Sequence, residues 1–447
     1  MVIIYLRMLI RNIIYSILYL FDYHKEKIPT LLLQKFKKTP HLSRRDKQRI
    51  RVCINEIIRY LGIIDYLIEV GSKRKIRHLN PKIKNVLRLG IYELVFDEMT
   101  PDFAAIHSNV ELAKKNISKK SSSMVNAVMR NIQRLSQKNR NWKMSLIKNK
   151  IGLAYPKWLL KKWEDEFGKN LTKNLCGVFL DKKNVFIRLD IEQCSVDKML
   201  SVLSRSNIKV IQHNHFKLFF KVVSGQKNIL NNNLFQEGII SIQDPAAGAV
   251  VELISPQKND YILDVCAAPG TKSLFMAQRV GQGGRIFACD NSQRRIDKAL
   301  KDKSRHRLNN IKWHLLDASK DKYPLHEKIL LDAPCSGTGV IGRRPDIKWR
   351  LRKNDIQRMA NLQKSILKNI SNYLKPGGKL IYSTCSLERE ENQDVIDHFL
   401  GCRSDFELIG TNSLLPNRWV SSRGFMFSFP TKTNTDGLFA AVLRKKI

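Results

Sequence analysis

The sequence lacks paired cysteines, long uninterrupted apolar runs, internal repeats and enough acidic residues to balance its basic ones. Eight cysteines occur, but no two form a CxxC pair and their spacings give no short disulfide framework. Intracellular chains without such a framework keep free thiols in a reducing compartment. We therefore expect a cytoplasmic protein with free cysteines and no bound metal.

The opening stretch "MVIIYLRMLIRNIIYSILYLF" is apolar enough to suggest a signal sequence or a membrane span. Arg7 and Arg11 interrupt it, however, and no small-residue cleavage site precedes the charged "DYHKEK". A membrane span needs about 20 predominantly apolar residues, and a secretory signal ends at a small-residue site. We therefore expect an amphipathic first helix of a folded domain and no association with a membrane.

The shortage of acidic residues leaves the chain with a large positive charge. It has 79 Lys and Arg against 40 Asp and Glu, a formal net charge of +39 and a pI near 10.0. About half of the surplus lies in residues 1–150. This balance favours a polyanionic partner, of which nucleic acid is the commonest. The alternative is an organism in which every protein surface is rich in lysine.

Length and composition are those of a multidomain globular protein. With 447 residues, 43% of them hydrophobic and 27% charged, the chain is long enough for two or three domains. The first part shows helical periodicity, since "SSMVNAVMRNIQRL" places Val125, Val128 and Ile132 on one face. We predict an all-α domain over residues 1–137, followed by a polar and basic linker over 138–150.

The rest of the chain divides into two further segments. Residues 151–240 mix a helical stretch with short apolar runs, which predicts a small α+β domain. From 241 to 447, short apolar runs alternate with helical patterns, which predicts a parallel sheet with helices on both faces. These runs are "YILDVCAAPG", "RIFACD", "IKWHLLDAS", "KILLDAPC" and "KLIYSTCS". Their polar or glycine-rich ends mark the functional edge, since ligands bind at the carboxyl ends of such strands.

The first of these runs, "LDVCAAPGTKS", predicts a strand, a tight glycine turn and the start of a helix. It matches neither GxGxxG nor GxxxxGK(S/T), which disfavours a dinucleotide or a cradled phosphate. Asp290 ends the second run, where an acid can take both hydroxyls of a ribose, and Asp317 closes the third, where an adenine edge would lie. S-adenosylmethionine is therefore the leading candidate cofactor. The alternative is that these aspartates only cap helices.

Two cysteines follow the last two runs. Cys335 follows the fourth run and Cys385 the fifth, so both thiols open into one crevice if the strands are neighbours. Methylation at C5 of cytosine needs such groups: a thiolate that adds at C6, an acid near N3 and a group that aids elimination. A thiolate in turn requires a cationic or hydrogen-bonded setting. The alternative is two buried cysteines at unrelated corners.

Longer stretches around these residues resemble a known family. "DAPCSGTG" with "YSTCS", together with "CAAPGTK", "GTGVIGRRPDIKW" and "LKPGGKLIYSTCSLEREEN", is similar to the RNA cytosine-5 methyltransferases. Upstream, "NVLRLGIYELVF", "AAIHSNVELAKK" and "MVNAVMR" resemble the NusB-type RNA-binding helical domain of the bacterial RsmB/Sun family. The resemblance implies a NusB-like helical domain, a small α+β domain that positions RNA, and a Rossmann-like class I methyltransferase domain.

The resemblance also implies roles for individual residues. Cys385 is the expected nucleophile, Cys335 is expected to assist product release, and Asp332 is expected to contact the base and help protonate it. The expected cofactor contacts are Cys266, Ala267, Ala268, Pro269, Gly270, Thr271, Lys272, Asp290, Asp317 and Asp332. The expected RNA contacts are Arg295, Arg343, Arg344 and Lys348. The implied substrate is cytosine 967 of 16S rRNA, naked or in a partly assembled small subunit, and no DNA is expected.

Two of the sequence's departures from the family pattern bear on the site, while a third, the missing proline in "SLEREEN", is expected to be harmless. The cofactor loop reads "APGTK" where the family usually has "APGGK", and a β-branched residue such as Thr271 is costly at positive φ. Either Thr271 has ordinary backbone geometry, or cofactor binding is weakened. In the middle domain, "FLDKKNVFIRLD" departs from the family pattern, which leaves the orientation of RNA there open.

Other functions compete with a ribosomal RNA methyltransferase. A non-catalytic RNA-binding factor would bind RNA without methyl transfer, but it leaves the two cysteines unexplained. An enzyme for tRNA or for another ribosomal site keeps the chemistry and changes the substrate. A DNA methyltransferase agrees least with the sequence, because that group lacks the threonine–cysteine motif.

Overall fold

The computed structural model describes residues 2–137 and 141–447. The chain forms two compact units, each made of two segments: Met1–Asp181 with Ile341–Leu351, and Lys182–Val340 with Arg352–Ile447. Within the described ranges, no helix is both long and apolar enough to cross a membrane.

Helices account for most of the first unit and alternate with strands in the second. In chain order the helices are α1 Val2–His24, α2 Ile28–Lys38, α3 Arg44–Arg59, α4 Leu61–Ser72, α5 Pro81–Ile91, α6 Asp102–Asn116, α7 Lys119–Ser136, α8 Trp142–Lys150, α9 Lys157–Phe167, α10 Lys169–Leu180, α11 Val196–Arg205, α12 Asn233–Gln236, α13 Pro245–Ile254, α14 Thr271–Val280, α15 Gln293–Arg305, α16 Ile347–Arg350, α17 Lys353–Ser371, α18 Gln393–Cys402 and α19 Pro430–Thr433. The strands are β1 Val185–Leu189, β2 Lys209–Gln212, β3 Phe219–Ser224, β4 Ile240–Ile242, β5 Tyr261–Val265, β6 Arg285–Asp290, β7 Ile311–Leu315, β8 His326–Asp332, β9 Leu374–Thr384, β10 Phe406–Ile409, β11 Met426–Ser428 and β12 Leu438–Lys445.

Side-chain caps begin several helices of the first unit. At α3, Asp46 N donates to Ser43 Oγ at 3.1 Å and Ser43 N donates to Asp46 Oδ2 at 3.3 Å, which is a reciprocal capping box. At α7, Ser121 N donates to Ser118 Oγ at 3.2 Å. Such bonds satisfy backbone N–H groups that have no partner within the helix. The polar residues before each apolar stretch therefore set where these helices begin.

The apolar faces of these helices form one continuous core. Val125, Val128 and Ile132 of α7 are buried, while Arg130 and Arg134 are exposed, so the predicted face of this helix is confirmed. The all-α architecture predicted for residues 1–137 is also confirmed. Of the predicted linker 138–150, residues 138–140 lie outside the described ranges, and the rest contains α8.

The segment Ile341–Leu351 packs against the helices of the first unit. Trp349 Nε1 donates to Ile58 O at 2.9 Å, and Lys348 Nζ donates to Arg59 O at 2.9 Å. Arg59 Nη1 in turn donates to Gly342 O at 2.8 Å. These three hydrogen bonds attach the eleven residues Ile341–Leu351 to the end of α3, so this segment belongs to the first unit. The predicted boundaries at 137, 150 and 240 stay a prediction.

The second unit begins with a four-stranded antiparallel sheet in the order β2-β3-β1-β4. Its apolar residues form a small separate core with α11. Arg188 of β1 is buried and donates through Nε to Gln243 Oε1 at 2.6 Å, and Gln243 Nε2 donates to Thr271 O at 3.3 Å. These two bonds connect the small sheet to the first residue of α14.

The larger sheet has the order β10-β12-β9-β8-β5-β6-β7, with β11 paired to β12. Strands β5 to β9 are parallel and coincide with the five apolar runs, so the predicted parallel sheet is confirmed for them. The antiparallel strands β10, β11 and β12 make the sheet mixed, which the sequence did not predict. Apolar clusters cover both faces of this sheet. The carboxyl ends of five neighbouring strands therefore share one edge.

Candidate active site

The loop after β5 turns sharply before α14. Cys266, the first residue after the strand, has φ of 58°, and Gly270 has φ of 100°. Ala267 N donates to Cys289 O at 2.8 Å, which ties the loop to the neighbouring strand β6. A Cβ added at Gly270 would lie 3.0 Å from Trp313 Cζ2. Glycine is required here because both the backbone angle and the close ring exclude a side chain.

Thr271 is the first residue of α14 and is not among the residues with positive φ. The left-handed conformation falls on Gly270 instead, so the β-branched side chain has ordinary geometry. The threonine in "APGTK" was expected either to have ordinary backbone geometry or to weaken cofactor binding. The structure supports ordinary geometry.

Asp290 ends β6 as a buried carboxylate. Its Oδ2 accepts from Ala268 N at 3.2 Å, and its Oδ1 accepts from Ser292 N at 3.1 Å. Arg295 Nη1 lies 3.0 Å from Oδ2, and Arg295 also donates to Ala268 O. Burial raises the pKa of Asp290, although Arg295 and the two backbone bonds oppose this rise. Arg295, predicted to contact RNA, is thus engaged with the cofactor loop.

Asp317 follows β7, the strand next to β6. Leu316 N donates to Asp290 O at 3.2 Å, so the two predicted aspartates end adjacent strands. Asp317 Oδ1 accepts from Ser319 Oγ at 2.7 Å and from Ser319 N at 3.0 Å, and these bonds lower the pKa of Asp317. Both aspartates thus make local turn contacts, as the capping alternative predicted, and both face the same edge of the sheet.

A third aspartate, Asp264 of β5, was not predicted. It is fully buried, its Oδ2 accepts from Ser273 Oγ at 2.5 Å, and its Oδ1 has no hydrogen-bond partner in the part of the chain described. Burial raises the pKa of Asp264 to about 7. An orphaned carboxyl oxygen and the Asp290 carboxylate at neighbouring strand ends fit the ammonium and hydroxyl donors of a nucleoside amino acid such as S-adenosylmethionine.

Lys272 connects the cofactor loop to the proline–cysteine motif. Its Nζ donates to Asp332 Oδ2 at 2.7 Å, and Ser383 Oγ donates to Asp332 Oδ1 at 3.3 Å. Burial opposes the charge of Lys272, yet Asp332, Asp264 and Cys385 together raise its pKa. Lys272 therefore remains an ammonium group, and the sequence had placed it only among the cofactor contacts.

The two predicted cysteines meet beyond the ends of β8 and β9. Asp332 pairs with Ser383 in the parallel register, which brings the following residues of both strands together. Cys335 Sγ lies 3.1 Å from Cys385 Sγ, and Cys385 N donates to Cys335 Sγ at 3.3 Å. Both are free, half-buried thiols. The hydrogen bond with Cys385 and burial raise the pKa of Cys335 well above its ordinary value.

Two side chains that the sequence analysis did not single out support the Cys335 segment. Glu391 Oε2 accepts from Ser336 N at 2.8 Å and from Gln363 Nε2 at 3.1 Å. Gln363 Nε2 also donates to Pro334 O at 2.9 Å. The paired glutamates in "SLEREEN" were the available signal for Glu391, whereas α17 offers none for Gln363.

The remaining basic residues predicted to contact RNA belong to the first unit. Arg344 is exposed and Arg343 is half-buried. Lys348 is 1% exposed, its Nζ lies 4.1 Å from the centre of the Tyr155 ring, and burial lowers its pKa well below the usual range. The prediction that Lys348 contacts RNA is therefore wrong, because its ammonium group is enclosed by protein.

Comparisons with known proteins agree with this fold. The family model described as 16S rRNA methyltransferase RsmB/F matches residues 251–444, and the model of the NusB family matches residues 8–134. The crystal structure of PH0851 superposes with a TM-score of 0.77 at 24% identity, covering 98% of each chain. This likeness confirms the predicted fold.

Two relatives match over nearly the whole chain. "Probable ribosomal RNA small subunit methyltransferase B" of Bacillus subtilis is 30% identical over 426 residues, which are 93% of this chain and 94% of the relative. The protein of the same name from Synechocystis is 31% identical over 90% of this chain and 92% of the relative. The predicted resemblance and cofactor are confirmed: the chain belongs to the RsmB family of S-adenosylmethionine-dependent ribosomal RNA methyltransferases.

Proposed function

We propose that the protein transfers a methyl group to C5 of a cytosine in 16S rRNA, cytosine 967 by family resemblance, through a covalent bond between Cys385 Sγ and C6 of the base. The single observation that carries this proposal is the pair of free thiols 3.1 Å apart beside Asp332. The relatives named as small-subunit methyltransferases support the choice of 16S rRNA. The reaction then belongs in the cytoplasm, where ribosomal RNA is assembled.

The cofactor site consists of the loop Cys266–Lys272 with Asp264, Asp290 and Asp317 around it. When bound there, S-adenosylmethionine supplies an electrophilic methyl group on a positively charged sulfur. The chain's contribution is to hold this group at the carboxyl edge of the sheet, next to the thiols. Lys272 connects the cofactor site with the thiol site, because its backbone is part of the cofactor loop and its side chain hydrogen-bonds Asp332.

Cys385 starts the reaction by adding to C6, since cytosine C5 is too electron-poor to accept a methyl group directly. The Cys385 thiolate forms the S–C6 bond while N3 gains a proton, and the added electron pair makes C5 nucleophilic. In this mechanism Asp332 contacts the base and passes the proton to N3, and the ammonium of Lys272, hydrogen-bonded to the Asp332 carboxyl at 2.7 Å, supplies that proton.

Cys335 acts at the end of the reaction. After C5 has gained the methyl group, its proton passes to water and N3 returns its proton to Asp332. The S–C6 bond then breaks, which returns its electron pair to Cys385 and restores the aromatic ring. The overall change replaces C5–H by C5–CH3 and releases one proton. Cys335 donates a hydrogen bond to the Cys385 sulfur from 3.1 Å, which stabilises that sulfur as it leaves.

The target base must leave its stack to reach these thiols, because C6 is enclosed within a stacked helix. An accessible loop of naked or partly assembled rRNA meets this requirement. The NusB-type domain and the net charge of +39 support the recruitment of such an RNA.

The test compares wild type with Cys385→Ala and Cys335→Ala, each incubated with S-adenosylmethionine and small-subunit rRNA. We expect Cys385→Ala to lose methyl transfer and to form no SDS-resistant protein–RNA adduct. Cys335→Ala is expected to accumulate the adduct, because release of the base is slowed. Cys402→Ala, which removes an exposed cysteine of α18, is the matched control and should behave as wild type.

Other outcomes point to other functions. An adduct that persists in Cys385→Ala and disappears in Cys335→Ala would reverse the two roles. Wild type that binds rRNA tightly and methylates none would favour the RNA-binding factor. Methylation of tRNA, or of 16S rRNA in which the target cytosine has been replaced, would change the substrate and keep the chemistry.

A further inference from the structure

Glu391 is tied to both neighbours of Cys335. Its Oε2 accepts from Ser336 N at 2.8 Å, and Gln363 Nε2 bridges from this carboxyl (3.1 Å) to Pro334 O (2.9 Å). The backbone on either side of the thiol is therefore fixed by one buried carboxyl and one buried amide. A sulfur held this way has little freedom to move away from Cys385.

At neutral pH the surroundings of Glu391 leave its carboxyl only partly ionised. Its Oε1 is buried without a hydrogen-bond partner among the described residues, and Tyr382 donates its hydroxyl to Glu391 O at 2.6 Å. Burial and the nearby Glu388 raise the pKa of Glu391 to about 7, against the hydrogen bonds from Ser336 and Gln363, which lower it.

The Glu391 carboxyl acts on the Cys335 thiol. It hydrogen-bonds the N–H of the next residue, Ser336, and it is among the groups that raise the pKa of Cys335. Two thiolates 3.1 Å apart repel each other strongly, so only one sulfur of the pair ionises readily. A carboxylate beside Cys335 disfavours ionisation of that sulfur.

We infer that Glu391 is a positioning residue for the thiol pair: with Gln363 it fixes the backbone on both sides of Cys335, and its carboxylate beside that segment disfavours a second negative charge on the Cys335 sulfur. The meaning of this arrangement rests on the proposed function, in which Cys335 assists and Cys385 is the nucleophile. The arrangement itself belongs to the free protein and needs neither RNA nor cofactor.

The test measures alkylation of Cys335 by iodoacetamide in full-length Cys385→Ala protein between pH 6 and 9, read on the Cys335 peptide by mass spectrometry. Adding Glu391→Gln keeps an acceptor for Ser336 N and removes the charge. We expect Cys335 in this double variant to react about fivefold to tenfold faster at pH 8, because one unit of thiol pKa changes the thiolate fraction about tenfold. Glu390→Gln, the same change one residue earlier, should leave the rate unaltered.

Gln363→Met provides a second variant should Glu391→Gln not fold. It removes a hydrogen bond to the ionised Glu391 and thus leaves the carboxyl more often neutral, so the expected acceleration has the same direction and is smaller. Unchanged Cys335 reactivity in a folded variant of either kind overturns the inference, as does an equal acceleration in Glu390→Gln. Because no RNA is present, a wild type without methyl transfer would sink the proposed function and leave this result standing.

Discussion

Among individual residues, Asp264 has an unusual protonation state. It is fully buried, and its pKa is raised to about 7 by that burial. An aspartate in the unfolded chain titrates at about 3.9. Between these values the folded protein binds a proton that the unfolded chain has lost, so the contribution of Asp264 to the free energy of unfolding falls as pH rises from about 4 to 7 and stays low above that.

Replacing Asp264 by Asn is expected to remove this pH dependence. Asparagine can still accept from Ser273 Oγ, and it does not ionise. The melting temperature of Asp264→Asn minus that of wild type should therefore be larger at pH 8 than at pH 5. Calorimetry at both pH values measures this difference. Asp297→Asn on the exposed face of α15 is the control, with no such change. An identical difference at both pH values for Asp264→Asn would contradict the raised pKa.

The sequence could predict the positions of those candidate site residues that the backbone of a strand places. Asp290, Cys335 and Cys385 follow strand ends, and parallel strands bring their carboxyl ends to one edge. The role of Glu391 could not be predicted because its partners, Ser336 after β8 and Gln363 of α17, are distant from it in the sequence. The prediction that Lys348 contacts RNA was wrong because a lysine normally keeps its ammonium group in water. Only the tertiary packing shows that other groups enclose it.

At the scale of elements, the turn from β5 into α14 depends on Gly270. Its φ of 100° and the Trp313 ring 3.0 Å from an added Cβ both oppose a side chain. We expect Gly270→Ala to weaken S-adenosylmethionine binding about fivefold to thirtyfold, since the left-handed conformation costs roughly 1–2 kcal/mol outside glycine. Isothermal titration calorimetry measures this effect directly.

Gly401→Ala is the matched control for that substitution. Gly401 lies in α18, has no positive φ, and an added Cβ there meets no atom within 4 Å. Alanine favours a helix over glycine by about 1 kcal/mol, so this variant should bind the cofactor normally and melt at the same or a higher temperature. Equal cofactor affinities for the two variants would refute the role of the turn.

Elements with local periodicity were predictable, and those that depend on distant pairing were not. The five parallel strands carry short apolar runs between helices, which is a local signal. Strand β12 also contains a continuous apolar run, but such a run is equally compatible with a buried helix. Its place between β9 and β10 follows only from antiparallel pairing with strands more than fifty and more than thirty residues away, respectively.

For the whole molecule, the charge of +39 predicts how RNA binding responds to salt. Contacts between basic side chains and phosphates release counterions, and affinity for single strands falls with a log–log slope of about −0.7 per phosphate. We expect affinity for small-subunit rRNA to fall at least about tenfold between about 50 and 200 mM salt, measured by filter binding.

The same titration with S-adenosylmethionine is the control, because this small ligand neutralises no run of phosphates. Its affinity should change little over that range. RNA affinity that is equally insensitive to salt would mean that the positive charge is not used for phosphate contacts, and that shape or base contacts dominate instead.

The return of Ile341–Leu351 to the helical unit has a consequence for protein synthesis. Ile58 O and the Arg59 side chain find partners in Trp349 and Gly342, nearly three hundred residues later. As the chain leaves the ribosome, the helical unit therefore waits for strands β1 to β8 to be translated before it can be completed. The unit that is translated first therefore acquires these hydrogen bonds only after residue 351 has emerged, when strands β1 to β8 of the other unit have already been made.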